Sequence, residues 1–253
     1  MLPLFSIITV ARNAASTIGP TLESVKRQSC RRFEYLVIDG ASTDSTVELA
    51  RSAAIPEAVI TSEPDKGIYD AMNKGIEHAK GEYLIFLNAG DAFHSPDTLQ
   101  KLADAIEAHN HPGILYGQTD IVDASRRRIA PRHLTAPAEL TLKSFANGMV
   151  VCHQAFVVLR RIASLYNLRY RFSADYDWCI RCLQHSRKNV YVGETLIDYL
   201  DEGVTTANRR ASLIERFRIM SRYYGVLPTV WRHLKFLPRF MRRRKLERNL
   251  RNE

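Results

Sequence analysis

Apolar residues along this chain fall into short unbroken runs, separated by segments where they recur every three or four positions. Residues 4–10, 35–38, 58–60 and 83–87 are runs rich in β-branched and aromatic side chains, the pattern of strands buried on both faces. Between the first two, Arg12-Asn13 ends the strand and Ser16 or Thr17 can cap a helix reaching about Gln28, with Leu22 and Val25 inward. Asp44 or Ser45 caps the next helix. Asp65-Lys66-Gly67 then reads as a turn whose glycine is free to take positive φ, and Ile68, Met72 and Ile76 set the buried stripe of a third helix that Gly81 ends. Strand–helix alternation through the first ninety or so residues predicts an α/β fold with a parallel sheet over this half.

The second half reads less regularly. Leu99, Leu102 and Ile106 mark a helix over 96–108, and 114–117 and 121–122 read as two short strands around a turn. Arg126-Arg127-Arg128 reads as a solvated hairpin tip. Residues 131–146 lack periodicity and form a loop of a length usually tied to function or mobility. Residues 150–158 return to a strand, with His153 and Gln154 as polar insertions. Ser173 caps a helix whose first turn carries Asp175 and Asp177, where the helix dipole favours negative charge. Strands at 190–192 and 196–199 close the body, and Leu213, Phe217 and Met220 predict a tail helix packed on it.

Charge divides the chain in two. The formal net charge is +9, but residues 209–253 hold 14 Lys/Arg against 3 Asp/Glu, leaving −2 on residues 1–208. From Trp231 to Met241 apolar and basic residues interleave, as in an amphipathic segment that lies on an anionic membrane surface; a solvated tail and a nucleic-acid contact are the other readings of 228–253. Nucleic acid is disfavoured, because no recognition motif accompanies the charge. The four cysteines make no disulfide framework, and Cys179 and Cys182 read as two thiols on one helix rather than a zinc site. The apolar residues 2–11 follow no basic region and precede no cleavage-like site, so they read as strand rather than leader, in a soluble cytoplasmic protein.

The chemistry points to strand ends. Neither GxGxxG nor GxxxxGK[ST] occurs. Instead Asp39, Asp65 and Asp91 follow the second, third and fourth strands, where ligands of open α/β sheets gather. Acidic groups there bind ribose hydroxyls or a cation that carries phosphates.

Three segments carry a family resemblance: residues 9–13 (TVARN), 37–46 (VIDGASTDST) and 63–75 (EPDKGIYDAMNKG) resemble the family 2 glycosyltransferases, in particular bacterial exopolysaccharide enzymes of the colanic-acid type. The resemblance spans about 4–205. It implies a GT-A fold, Rossmann-like, with a nucleotide-binding half (1–95), a mixed-sheet acceptor half (96–207) and a basic helical tail (208–253). It implies inverting transfer from a nucleotide sugar, with UDP the commonest nucleotide and GDP possible, to a lipid-linked glycan at the inner face of the plasma membrane. By similarity Thr9, Ala11 and Asn13 line the nucleotide pocket, Asp39 holds base or ribose with Ser42 and Asp44 nearby, and Asp65 and Lys66 face the nucleotide and diphosphate. Residues 88–91 (NAGD) stand where the family has DxD, so Asn88 faces the donor and Asp91 is the metal ligand for Mn²⁺ or Mg²⁺. Asp175 stands at the family's base position. Ala174 replaces the usual glutamate, which moves any second carboxylate role to Asp177, and His153-Gln154 match a pair near the acceptor.

Two other functions compete. A nucleotidyltransferase would approach its triphosphate with a basic, glycine-rich loop, and residues 11–19 hold one arginine and one glycine. A non-catalytic membrane- or nucleic-acid-binding protein working through the tail would leave the acidic strand ends without a purpose.

Overall fold

A computed structural model describes residues 2–201 and 209–234. The four predicted strands form as β1 (Phe5–Ala11), β2 (Phe33–Asp39), β3 (Ala58–Ser62) and β4 (Tyr83–Phe86). They lie parallel in the order β3-β2-β1-β4, so the chain steps outward from β1 and then returns to its other side. That reversal opens a crevice at the carboxyl ends of β1 and β4. The predicted helices flank these strands as α1 (Ile18–Lys26), α2 (Thr46–Ser52), α3 (Ile68–His78) and α4 (Thr98–Ala108). Alternate residues of β1 serve two cores: Phe5, Ile7 and Ala11 pack with α1 and α4, whereas Ile8 and Val10 pack on the α3 side. Burial on both faces is the physical reason the strand reads as an unbroken apolar run. Gly67 takes φ 124°, as the turn before α3 requires, but Ile68 at the head of the predicted stripe is exposed.

The sheet continues through β5 (Ala92–Phe93), β6 (Ile114–Val122), β7 (Arg128–Pro131), β8 (Phe156–Leu159) and β9 (Asn189–Leu200), in the order β4-β8-β6-β9-β5 with β7 on β6. Its mixed pairing matches the predicted second half. Local boundaries differ. Residues 114–122 make one strand rather than two, because the polar Gln118 is satisfied within it, bonding both backbone groups of Ala136 and the Tyr191 hydroxyl. β9 is likewise one twelve-residue strand, which absorbs the apparent break through register shifts against β6. Residues 153–155 form a 3₁₀ turn instead of a strand, since His153 and Gln154 turn inward to partners described below.

The loop after β7 leads into α5 (Leu142–Phe145), and α6 (Ala174–His185) carries the predicted carboxylates together with Cys179 and Cys182, both buried and reduced. Ser173 does not cap α6 with its side chain; its hydroxyl meets that of Ser212 in α7 (Arg209–Tyr224). α7 buries Ser212, Ile219 and Met220 and leaves Leu213 exposed, so the predicted stripe is rotated. The cause is polar: Glu215 accepts the backbone N–H groups of Arg171 (2.8 Å), Phe172 (2.8 Å) and Ser173 (3.0 Å), which fixes the face α7 turns to α6. Residues 226–234 are helical, and the rest of the basic tail lies outside the described residues.

Candidate active site

The crevice is built from the loops that follow β1, β2 and β3. Asp39 ends β2 with no exposed surface and accepts three hydrogen bonds, from the Ser42 N–H (2.9 Å), the Ser42 hydroxyl and the Ser62 hydroxyl (2.6 Å). Ser42 Oγ in turn accepts the Asn13 N–H (2.7 Å), and Asn13 Oδ1 accepts the Thr43 N–H (2.9 Å). Asn13 and Ala41 both sit at positive φ, so the two loops are bent toward each other and held by side chains. Asp44 extends the same network: it accepts from Thr46 and from the Ala15 N–H (3.0 Å), and these bonds, Thr46 foremost, hold its carboxyl below the usual range. Asp65 enters from the far side. Its Oδ2 lies 2.1 Å from where a Cβ on Gly40 would stand, with Arg12 Cδ 3.4 Å from the same point. A side chain at position 40 would therefore push Asp65 and Arg12 apart; glycine lets the three loops meet.

Five of the predicted donor residues are thus brought together: Asn13, Asp39, Ser42, Asp44 and Asp65. Ala11 pairs with Asp39 at the strand ends. Thr9 does not reach the crevice, because its hydroxyl is spent in the core on the Leu87 carbonyl (2.7 Å) and the Tyr35 hydroxyl (2.9 Å). Lys66 presents an exposed side chain while its N–H is fixed by the Asp70 carboxylate (3.0 Å). Cavities of about 260 Å³ lie away from this cluster, one between α1 and β5 and one between α1 and α2.

The acidic turn after β4 departs most from expectation. Thr21 of α1 ties it down, accepting the Gly90 N–H (2.9 Å) and donating to the Asp91 carbonyl (2.7 Å). Arg126, expected at a solvated tip, folds back so that Nη1 donates to the Gly90 carbonyl (2.7 Å) while Nη2 is buried. Pinned on both sides, the turn aims Asp91 under the sheet. Its carboxyl is 4% exposed; Oδ2 accepts Gln154 Nε2 (2.7 Å) and Oδ1 the Leu200 N–H (3.1 Å). Burial pushes the group up to about 7, and the Arg126 charge offsets that only in part. A metal ligand must be ionised and open to the cation. Asp91 is buried with both oxygens taken by protein donors, and no group of three His, Cys, Asp or Glu that could hold a metal exists among the described residues. The metal role expected of Asp91 does not fit this geometry. Asn88, by contrast, keeps a buried Oδ1 with no partner at the mouth of the turn.

On the acceptor side, Asp175 opens α6 and accepts the Tyr69 hydroxyl (3.1 Å) and the Tyr176 N–H (2.9 Å), both on Oδ1. Tyr69 stacks on Tyr166, and Tyr166 on Trp178 (centroids 5.5 and 5.0 Å). His153 stands behind this wall. It is 5% exposed, stacked on Phe86 and hydrogen-bonded to the Tyr166 hydroxyl, and burial drops its pKa to about 4. Enclosed by rings and bonded to the Tyr166 hydroxyl, the imidazole supports the tyrosine wall from behind. Asp177 is also not free: Arg181 (2.8 Å) and the Tyr223 hydroxyl (2.9 Å) occupy its two oxygens at 1% exposure. The tyrosine wall was missed in the sequence, where Tyr69 and Tyr166 carry no local signal linking residues so far apart. Arg126 was read as part of a solvated hairpin tip for the same reason.

The model of "Glycosyl transferase family 2" matches residues 6–165. A "PGL/p-HBAD biosynthesis glycosyltransferase" of Mycobacterium bovis is 35% identical over 189 residues, covering 72% of this chain and 71% of its own length. The "Amylovoran biosynthesis glycosyltransferase AmsB" of Erwinia amylovora is 29% identical over 212 residues, covering 77% and 69%. Among solved structures, S. aureus TarS 1–349 in complex with UDP-GlcNAc superimposes with a TM-score of 0.72 at 17% identity, covering 92% of this chain and 73% of that one. The mannosyltransferase PcManGT from Pyrobaculum calidifontis, in complex with GDP-Man and Mn²⁺, gives 0.63 at 15%, covering 93% and 75%.

Proposed function

The chain belongs to glycosyl transferase family 2, and on that premise we propose inverting transfer of a sugar from a nucleotide donor, with Asp175 as the base that activates the acceptor hydroxyl. The observation that carries the donor half is the meeting of Asn13, Asp39, Ser42 and Asp65 at three strand ends. Asp39 accepts three protein hydrogen bonds, and a carboxylate has about four acceptor positions, so one remains for a base or ribose donor. Its orientation is fixed before the ligand arrives. UDP is the nucleotide proposed, supported by the UDP-GlcNAc complex of the similar S. aureus fold; GDP is the second choice.

Transfer forms a bond from the acceptor oxygen to the anomeric carbon while the bond from that carbon to the diphosphate oxygen breaks on the opposite face. The departing electron pair leaves on the nucleoside diphosphate, and the hydroxyl proton passes to Asp175. Both protein hydrogen bonds to Asp175 fall on Oδ1, which leaves Oδ2 available to accept from the acceptor hydroxyl. Arg12 and Lys66, exposed beside the cluster, balance charge on the diphosphate. A cation of the kind bound by the Pyrobaculum enzyme would need ligands other than Asp91.

The acceptor proposed is a lipid-linked glycan of a surface polysaccharide, supported by the biosynthetic names of the two relatives. The enzyme would then work peripherally at the inner membrane face, the basic tail contributing; among the described residues no helix is long and apolar enough to cross a membrane. The test is Asp175→Asn. A positioned carboxylate base contributes roughly 10²–10⁴-fold, so kcat should fall by about that much with UDP-sugar affinity near that of the parent. Equal loss of donor binding would reject the assignment.

A further inference from the structure

Among the described residues fifteen large apolar side chains are exposed, and they are not spread evenly. Ten lie in three segments: Leu142, the loop over 163–172, and the helical residues 209–234. These segments are joined into one face. Glu215 grips the backbone of 171–173, Arg222 bonds Tyr170, and the Tyr224 hydroxyl donates to the Leu142 carbonyl (2.8 Å). Local packing decides which side chains stay outside. In the loop, the Leu165 carbonyl is held by Arg181 and the Ser164 carbonyl by Trp178, which buries Tyr166 and leaves Leu165 and Leu168 45% and 48% exposed. In α7, Ser212 and Glu215 face inward, so Leu213 and Ile214 face out. The charge on the loop and helices is almost wholly of one sign: residues 163–172 and 209–234 contain eight arginines and one acid, and that acid is Glu215, already engaged by three backbone N–H groups. Apolar side chains framed by arginines, with the one acid of these two segments already engaged, fit the boundary between anionic headgroups and acyl chains. A scattered solvated surface would show neither the clustering nor the single sign.

We propose that this composite face, rather than the terminal tail alone, seats the enzyme on an anionic lipid bilayer, with Leu165 and Leu168 of the acceptor half entering the interface beside Leu213, Ile214 and Leu227. Asp175 lies three residues beyond Phe172, at the first turn of the helix this face abuts, so docking would place the base at the membrane border. The proposal deepens the lipid-linked acceptor reading and rests on it only for that consequence.

The experiment is flotation of the full chain with vesicles of phosphatidylcholine, with and without phosphatidylglycerol. Binding should require phosphatidylglycerol, and Leu165→Ser with Leu168→Ser should reduce the partition coefficient by about tenfold or more. The same exchange at Leu49 and Val59, exposed elsewhere, should leave it unchanged. UDP binding, measured on every variant, controls for folding. Parent-like flotation of the loop variant would assign docking to the tail alone and overturn the proposal, as would equal binding to pure phosphatidylcholine. Sedimentation that shows a dimer dissociated by the loop substitutions, with no vesicle binding, would make the face a contact between copies and also overturn it. Transfer to a soluble acceptor is scored separately, so loss of the docking surface and loss of the glycosyl-transfer reading give different results.

Discussion

Asp91 makes stability fall with rising pH, opposite to an ion-paired carboxylate. In the folded chain burial raises the group from 3.8 to about 7, while in the unfolded chain it titrates near its ordinary value. Between those values the folded state holds a proton that the unfolded state has released. The stabilisation is fully present below about pH 4 and is lost as pH rises through about 7, with a slope of at most ~1.4 kcal/mol per pH unit and a total of roughly 4 kcal/mol. Asp91→Asn removes the titration. The Gln154 amide can rotate, turning Oε1 to the new Nδ2 and Nε2 to the Cys152 sulfur, so both hydrogen bonds survive. The variant should match the parent near pH 4 and exceed it by up to roughly 4 kcal/mol at pH 8. Urea unfolding from pH 4 to 8, followed by fluorescence of the buried Trp178, measures the difference; subtracting variant from parent cancels the other carboxylates. A flat difference, or a parent that gains on the variant as pH rises, would show Asp91 ionised and stabilised, and the reasoning would fail.

The same variant tests the metal question, since any effect of Mn²⁺ on UDP binding should be the same in Asp91→Asn and in the parent; loss of that effect only in the variant would restore Asp91 as a ligand. Asp177→Asn strands Arg181 and one end of the Tyr223 hydrogen bond, so unfolding free energy should drop by about 3 kcal/mol, with donor affinity intact. Denaturant titration beside UDP calorimetry separates the two, and a stability within ~0.5 kcal/mol of the parent would count against the structural role.

The donor half was legible because local chemistry and global position agree there. The unbroken apolar runs of β1, β2 and β4 are strands covered on both faces, whereas the run 58–60 became the edge strand β3 with Val59 exposed; the polar residues after them gather at the sheet's carboxyl edge. Asn13, Ser42 and Asp44 are close in sequence to the strands that carry them, so the pocket that the family resemblance implied for them agrees with where the strand ends lie. Thr9 shows the limit: motif membership cannot say whether a side chain within a strand faces solvent, and this one faces Tyr35. The placement of Asp91 was not legible for a related reason. Its aim depends on Thr21, Arg126 and Gln154, each more than thirty residues away, and on a turn fixed from both sides. The polar break at Gln118 misled differently, because a long strand can carry a polar residue wherever a loop satisfies it.

Those distant contacts also redraw the division between body and tail. By charge the chain changes character at residue 209, and composition places the chemistry before that point. By contact, the first tail helix is part of the acceptor half. Glu215 takes the N–H groups of Arg171, Phe172 and the α6 N-cap Ser173, and Tyr223 closes on Asp177 one turn farther along. Charge-assisted bonds of this kind are worth about 1.5–3 kcal/mol each. The segment that sets the position of Asp175 is therefore the same one that displays Leu213 and Ile214 to the outside. Seating that outer face on a surface would act on the proposed base through one carboxylate, because Glu215 holds the backbone two residues before Asp175.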